Sequence, residues 1–585
     1  MTISTHEYSA TLLLGGPDEM LPLSIKDGTV SVDVARFNHV EASLTVPVTD
    51  SSKLANFDPR RKLRVRIDAD ATFPAFSQSR SFDLALRSAR PNRATGDVDL
   101  RLASDESILQ DFGPLANDSG ARAHASSIRG LTNYALGKIG ATLQAGGEDA
   151  NVTPYWSASN LIPDPRYTRI DASQWSQANL TTVADGTFPG SIHGVAHTGV
   201  HLAQPSSTDS YVNVGPTAGM AFSTRVGKTY VFSATGSVRA VITGTGPSET
   251  DAATGTVLPR QRALVVHATG AGFSPAYKVW HSAQVPNVAE TGTSAGTRVA
   301  VKFTVPPDTL HVFFRVYHGG TGGSITWSQF SLQEVDADYP VEDGAQYFFG
   351  SKPDTANYEY SWRGIADGSP TERRAVVERP RDLFTWRAGV GGIDFLSPIL
   401  QSQGFRLVCD EERRWTLRRD GYRASGNLNL AYAVNVIGAD EEITRESQDW
   451  FDAATYSYRW RAADGTEKSA DDTYALPGYT KHVRRQIDRE YPGPGRAQYA
   501  VQRAHNRGRT LAVETVANWD AKADQEVLVR LDGTPIQLGT ADSIEWNLST
   551  DRMRVTSRTA DTPEGAIDLL PGTINSLPGS INSLT

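Results

Sequence analysis

Apolar and polar residues alternate with a period of two through the N-terminal part of the chain. The runs are Val30, Val32 and Val34; Leu63, Val65 and Ile67; Phe82, Leu84 and Leu86; and Val98, Leu100 and Leu102. Polar partners between them give each strand one buried and one wet face. Four such runs predict a small antiparallel barrel or sandwich over residues 1–118. The period then changes. Ser127 is placed to cap a helix whose stripe is Ile128, Leu131, Leu136, Ile139 and Leu143. A second helical stripe is Ile393, Leu396, Ile399 and Leu400, stopped by Gly404. A hairpin follows it, Phe405–Cys409 against Trp415–Leu417 across a polar turn. The two helices read as halves of one α/β domain, residues 119–154 and, with a linker, 341–426. The stretch 155–340 between them is rich in Gly, Ser and Thr and strand-like, and reads as an insertion. Residues 427–565 are β again: Tyr456, Tyr458 and Trp460 alternate, and one helix at about 495–507 carries Ala497, Ala500, Val501 and Ala504. The remainder, 566–585, repeats itself with Leu570, Ile574, Leu577, Ile581 and Leu584 at a seven-residue spacing. Pro571-Gly572 and Pro578-Gly579 exclude a coiled coil there and favour repeated turns or an extended tail.

Composition narrows the picture. A chain of 585 residues is too long for one core, and 51 Gly with 31 Pro fit many short strands joined by turns. The expected fold class is multidomain and mainly β, with a smaller α/β domain, tube-like β-barrel domains and an inserted β-sandwich of jelly-roll type. A net charge of −9 argues against broad nucleic-acid binding, which needs a basic field. One cysteine, Cys409, rules out an intrachain disulfide. The opening residues lack a basic n-region and a long apolar stretch, and no apolar run is long enough to span a membrane. Synthesis in a cytoplasm is expected.

Several marks in residues 155–340 resemble jelly-roll modules of the carbohydrate-binding type: Asn160-Leu-Ile-Pro-Asp-Pro165 at the start, Tyr230-Val-Phe-Ser-Ala234 within, and Ile325-Thr-Trp-Ser-Gln-Phe-Ser-Leu-Gln-Glu334 at the end. The acidic residue common in the last strand of such modules is replaced by Trp327-Ser-Gln329, so the family metal site is not carried over. Sugars are held by flat aromatic faces stacked on pyranose C–H surfaces, with polar groups fixing the hydroxyls. The candidates are Trp175, Tyr211, Trp280, Tyr317 and Trp327. Each can instead fill the sandwich core. Trp280, in a polar and turn-rich context, is the one expected to be most exposed.

Other constellations carry less. His193, His197 and His201 are spaced by four, but Gly194, Gly199 and β-branched neighbours favour strands and turns, where that spacing has no ligand logic. Asp410-Glu-Glu412 reads as a solvated turn, and Cys409 as core. There is no HExxH. Arg484, Arg485, Arg489, Arg496, Arg503, Arg507 and Arg509 read as a solvated or interface surface. No catalytic group, metal or cofactor is expected.

Taken together these parts resemble the tail-tip hub, or minor tail, proteins of long-tailed phages infecting actinobacteria. The resemblance is carried by Glu41-Ala-Ser-Leu-Thr-Val-Pro47, Leu63-Arg-Val-Arg-Ile67, Ala345-Gln-Tyr-Phe-Phe-Gly350, Tyr360-Ser-Trp362, Ile393-Asp-Phe-Leu396 and Asp551-Arg-Met-Arg-Val555. It implies a non-enzymatic virion protein at the tail tip, a homotrimer whose two barrel domains per subunit continue the hexameric tube. It also implies as partners a distal tail protein, the tape-measure protein, other minor tail proteins and a host cell-surface glycan. The apolar residues of 570–584 are then expected to form a plug about the threefold axis. The alternative is a secreted or surface polysaccharide-acting enzyme with an accessory carbohydrate-binding module, which predicts a signal peptide and an acid pair across a cleft.

Overall fold

The computed structural model describes residues 4–561 apart from 15–19, 49–50, 164, 166–174, 179, 193–194, 206, 215–218, 274–275, 291–295, 336, 338–339, 367, 420, 444–449, 462–466, 506–508 and 533–535. The 570–584 repeat therefore lies outside the described residues. The chain is mainly β and divides into two compact units. The first comprises Met1–Pro154, Arg379–Trp460 and Lys468–Thr585, the second Tyr155–Glu378 with Arg461–Glu467.

In the first unit the alternation along each N-terminal strand becomes one wet and one dry face. Arg64–Thr72 is typical: Val65, Ile67, Ala69 and Ala71 are buried, and polar residues fall between them. The N-terminal and C-terminal strands share one thirteen-stranded sheet. The join is the antiparallel pairing of Asp27–Asp33 with Gln537–Asn547, in which Val30 faces Trp546 and Val32 faces Ile544. Their inward side chains meet in a single core with Phe82, Trp519 and Val555. Among the described strands the sheet is open, ending at Met20–Leu23 on one side and Val436–Ile443 on the other.

The two helical halves meet as their stripes require. Helix Ile128–Gly137 starts at Ser127, whose Oγ accepts the Gly130 N–H at 2.9 Å. Helix Gly392–Ser402 precedes Gly404, whose φ of 73° suits the left-handed position that glycine takes after a helix. Leu131 and Leu136 from the first helix share a core with Ile393, Leu396 and Ile399 from the second. The hairpin of Phe405–Cys409 with Trp415–Arg419 closes that core, and Cys409 is fully buried in it. A third, smaller core joins helix Arg496–His505 to strand Ala453–Arg461.

The second unit is a sandwich of antiparallel sheets. One sheet runs Leu180–Ile192, Val195–Pro205, Gly322–Val335, Thr229–Thr243 and Thr297–Thr304. The other runs Tyr277–His281, Leu264–Thr269, His311–Tyr317, Tyr211–Val214 and Trp175–Ala178, with Met220–Ala221 attached to His311–Tyr317. Tyr230, Phe232, Phe303, Phe314 and Leu332 fill the space between the sheets. Asn160 locks the entering chain to the exit strand. Its amide donates to the carbonyls of Phe330 (3.0 Å) and Phe348 (3.4 Å), and its Oδ1 accepts from Ile162 and Leu332. Full burial explains why all these bonds are made. The unit continues beyond residue 340, because Thr371–Ala375 pairs with the opening strand Ala158–Asn160.

Candidate functional site

The sequence His311-Val-Phe-Phe-Arg-Val-Tyr317 alternates, so it divides its side chains between two faces. Val312, Phe314 and Val316 enter the sandwich core. His311, Phe313, Arg315 and Tyr317 point to the opposite, outer face. Strand register extends that face sideways. Tyr211 lies beside Tyr317, Asn213 beside Arg315, and His267 beside Phe313. Beyond His267 stands Val279, and the next outward residue on that strand is Tyr277, opposite Thr269.

Arg315 is the centre of this face. Its guanidinium carbon lies 4.2 Å from the ring centroid of Tyr211 and 5.4 Å from that of Phe313. Both distances are within the range of a cation–π contact. Nε donates to Asn213 Oδ1 at 3.0 Å, and Nη1 reaches Tyr317 Oη at 3.4 Å. The rings of Tyr211 and Tyr317 are 5.0 Å apart. Tyr211, Phe313 and Arg315 are half-buried, and Tyr277 is exposed.

A polar network borders the aromatic group. Arg260 Nη1 is 3.3 Å from Tyr317 Oη, 3.3 Å from Glu249 and 3.5 Å from Asp209. Glu249 also accepts from His267 Nε2 at 3.0 Å. Burial pushes the His267 imidazole down to about 4, so at neutral pH the ring is uncharged and donates from Nε2. Burial alone would raise the Glu249 carboxyl. The hydrogen bond from His267 and the charge of Arg260 outweigh it and hold the group down at about 2. Burial pushes the Tyr317 hydroxyl well up, so it stays protonated.

The residues singled out from sequence divide. Tyr211 and Tyr317 are brought together on the outer face, though Tyr317 is closed to solvent and only Tyr211 is accessible. Trp280 is not exposed. It is 7 % accessible, packs 5.6 Å from Phe303, and belongs to the sandwich core. Trp327 is also wholly buried in that core, where its Nε1 donates to the Tyr317 carbonyl at 3.3 Å. Neither tryptophan can stack on a sugar from there. Trp175 sits on a strand opposite Val214, with its side chain outside the described residues. Arg315, Asn213 and Phe313 were not singled out, although the alternation of 311–317 signals the shared face of Phe313 and Arg315. Of the three histidines, His193 and the side chain of His197 lie outside the described residues. His201 is on a strand, its Nδ1 3.0 Å from Thr326 Oγ1. Among the described residues no cluster of three metal-ligating side chains occurs. The Asp410–Glu412 segment is a turn, closed by Asp410 accepting the N–H groups of Glu412 and Arg414.

No family model and no curated protein matches the chain. Solved structures give distant likenesses. A tail protein from Neisseria meningitidis MC58 is 9 % identical with a TM-score of 0.34, over 96 % of this chain and 97 % of its own. The 43 kDa tail protein of prophage MuSo2 from Shewanella oneidensis is 7 % identical with a TM-score of 0.36, over 95 % of this chain and all of its own. The carbohydrate-binding and catalytic modules of a Clostridium thermocellum endo-1,4-β-D-xylanase, complexed with xylohexaose, are 12 % identical with a TM-score of 0.21. They cover 30 % of this chain and 28 % of their own. None of these scores reaches the level of a shared fold.

Proposed function

We propose that this chain is a structural protein of the virion. On this reading it forms the trimeric hub at the tip of a long non-contractile phage tail, between the tail tube and the host-recognition apparatus. The observation that carries the reading is the pairing of Asp27–Asp33 with Gln537–Asn547, which joins the two ends of the chain in one sheet. Two β segments fused in this way suit a subunit that supplies two positions of a tube-like ring, so that three copies continue a sixfold tube. The resemblance of Glu41–Pro47, Leu63–Ile67 and Asp551–Val555 to such proteins points the same way. A distal tail protein, the tape-measure protein and other minor tail proteins are the partners this position requires.

The second unit is the host-contacting part of this reading, and the Tyr211–Arg315–Phe313 face is where it stacks on cell-surface glycan. Within this face Glu249 is not a general acid. Glu249, held at about 2, has no proton to give near neutral pH, and a general acid needs one. Native mass measurement of the full chain tests the hub reading. Three copies of the 63.3 kDa chain are expected; a stable monomer or dimer in assembled particles contradicts it.

A further inference from the structure

The two arginines of the outer face differ in charge balance. Arg260 contacts two carboxylates directly, Glu249 at 3.3 Å and Asp209 at 3.5 Å. Arg315 has no carboxylate partner among the described residues. Its neighbours are the neutral groups Tyr211, Asn213, Phe313 and Tyr317. Two of them fix its orientation: Asn213 takes Nε and Tyr317 takes one Nη1 hydrogen, while the flanking rings limit sideways motion. Nη2 makes no hydrogen bond to the described residues. A guanidinium held flat with its outer N–H groups free presents the fork that a carboxylate or phosphate accepts in bidentate fashion.

A structural role alone accounts poorly for this arrangement. A half-buried cation loses hydration, and a structural arginine is normally repaid by a carboxylate, as Arg260 is here. The rings of Tyr211 and Phe313 repay Arg315 only in part. They also provide apolar faces beside the charge, the combination that an acidic sugar residue needs: C–H surface against a ring, and an oxyanion against the fork.

Resting on the glycan-binding reading above, we infer that the ligand of this face is an anionic glycan, its carboxylate or phosphate held by the outer N–H groups of Arg315. Tyr211 and Phe313 flank the sugar ring and Asn213 holds the arginine in place. Neutral glycans bind the same face weakly.

The test uses the full-chain protein and purified wall fragments of the host in three forms: untreated, carboxyl-reduced, and treated with hydrofluoric acid to remove phosphodiester-linked groups. Untreated fragments are expected to bind, and one of the two treatments to weaken binding by about ten- to a hundredfold, as for loss of a charge-assisted bidentate pair. The sensitive treatment tells carboxylate from phosphate. Arg315→Gln is expected to bind untreated fragments no better than the wild type binds the stripped ones, and added salt to weaken only the wild type. An unchanged melting temperature in Arg315→Gln shows that the fold is intact, and Arg315→Lys, which keeps the charge without the fork, should recover part of the affinity. If both treatments leave binding unchanged while Tyr211→Ala abolishes it, the anionic inference is overturned and the glycan face stands. If wild-type protein binds none of the fragments, the glycan reading falls and this inference with it.

Discussion

The carboxylate of Glu106 accepts the backbone N–H of Cys409 at 2.8 Å. Its other oxygen accepts the backbone N–H of His39 and lies 3.3 Å from Ser104 Oγ. One fully buried acid thus ties the N-terminal sheet, the start of helix Glu106–Asp111 and the hairpin of the α/β part. Burial raises it from 4.5 to about 7, against the opposing pull of its hydrogen bonds. The folded state therefore holds a proton between these two values that the unfolded chain has lost. The contribution of Glu106 to stability is fully present below about 4.5, falls as pH rises towards about 7, and is constant above it. In Glu106→Gln the amide can accept only one of the two N–H groups and points a donor at the other. A loss of roughly 1–3 kcal/mol is expected, together with loss of this part of the pH slope. Denaturant titrations at pH 5, 6, 7 and 8 check both. The same slope in wild type and variant would assign the pH dependence to other groups.

Asp524 is the anion for a cluster of guanidinium groups. Arg406 binds it directly, with Arg418 at 3.2 Å and Arg558 at 3.4 Å, and the aspartate is 1 % accessible. It also has a φ of 64°, a left-handed conformation that asparagine tolerates. Asp524→Asn thus removes the charge without straining the backbone. Arg558 keeps Asp542 at 3.3 Å, but Arg406 and Arg418 lose the anion they share, which should cost roughly 3–5 kcal/mol. Circular dichroism melting measures it; a change below the experimental error would show that solvent or other carboxylates neutralise the cluster.

Trp280 and Tyr211 should separate stability from binding. Trp280→Ala opens a hole in the sandwich core and is expected to cost roughly 3–5 kcal/mol. Tyr211→Ala removes a half-exposed ring, so its melting temperature should change little while its affinity for host wall fragments falls. A binding loss in Tyr211→Ala accompanied by an equal loss of stability would make Tyr211 a structural residue.

How much of this was legible in the sequence depended on the range of the interaction. Local rules were enough for Ser127 as a cap, for Gly404 after its helix and for the alternation of Arg64–Thr72, because each depends on neighbours along the chain. The burial of Trp280 was not legible. The strand Tyr277–His281 buries Val279 on one face and Trp280 on the other, so alternation does not tell which side is wet. The pairing of Asp27–Asp33 with Gln537–Asn547 was hidden too, since both strands read as ordinary alternating β and nothing local names the partner. The site showed the same division. Tyr211 was visible as an aromatic, but Arg315 became meaningful only once Asn213 and Tyr211 stood beside it on the next strand.

The second unit should be removable. The chain leaves the first unit after Pro154 and re-enters it at Arg379, and Arg379 Nη1 donates to the Thr153 carbonyl at 3.1 Å. The two ends of the excursion are therefore adjacent within the first unit. Replacing residues 155–378 by a short Gly/Ser linker should leave a folded, cooperatively melting protein. An unfolded or aggregated product would show that the sandwich is integral to the folding of the rest.

The position of this protein on the particle tests the account most directly. Intact virions labelled with gold-conjugated antibody to the chain should carry gold at the end of the tail remote from the head and nowhere else. Label on the head or along the tail shaft, or particles that contain none of this protein, would contradict the assignment of a tail-tip hub.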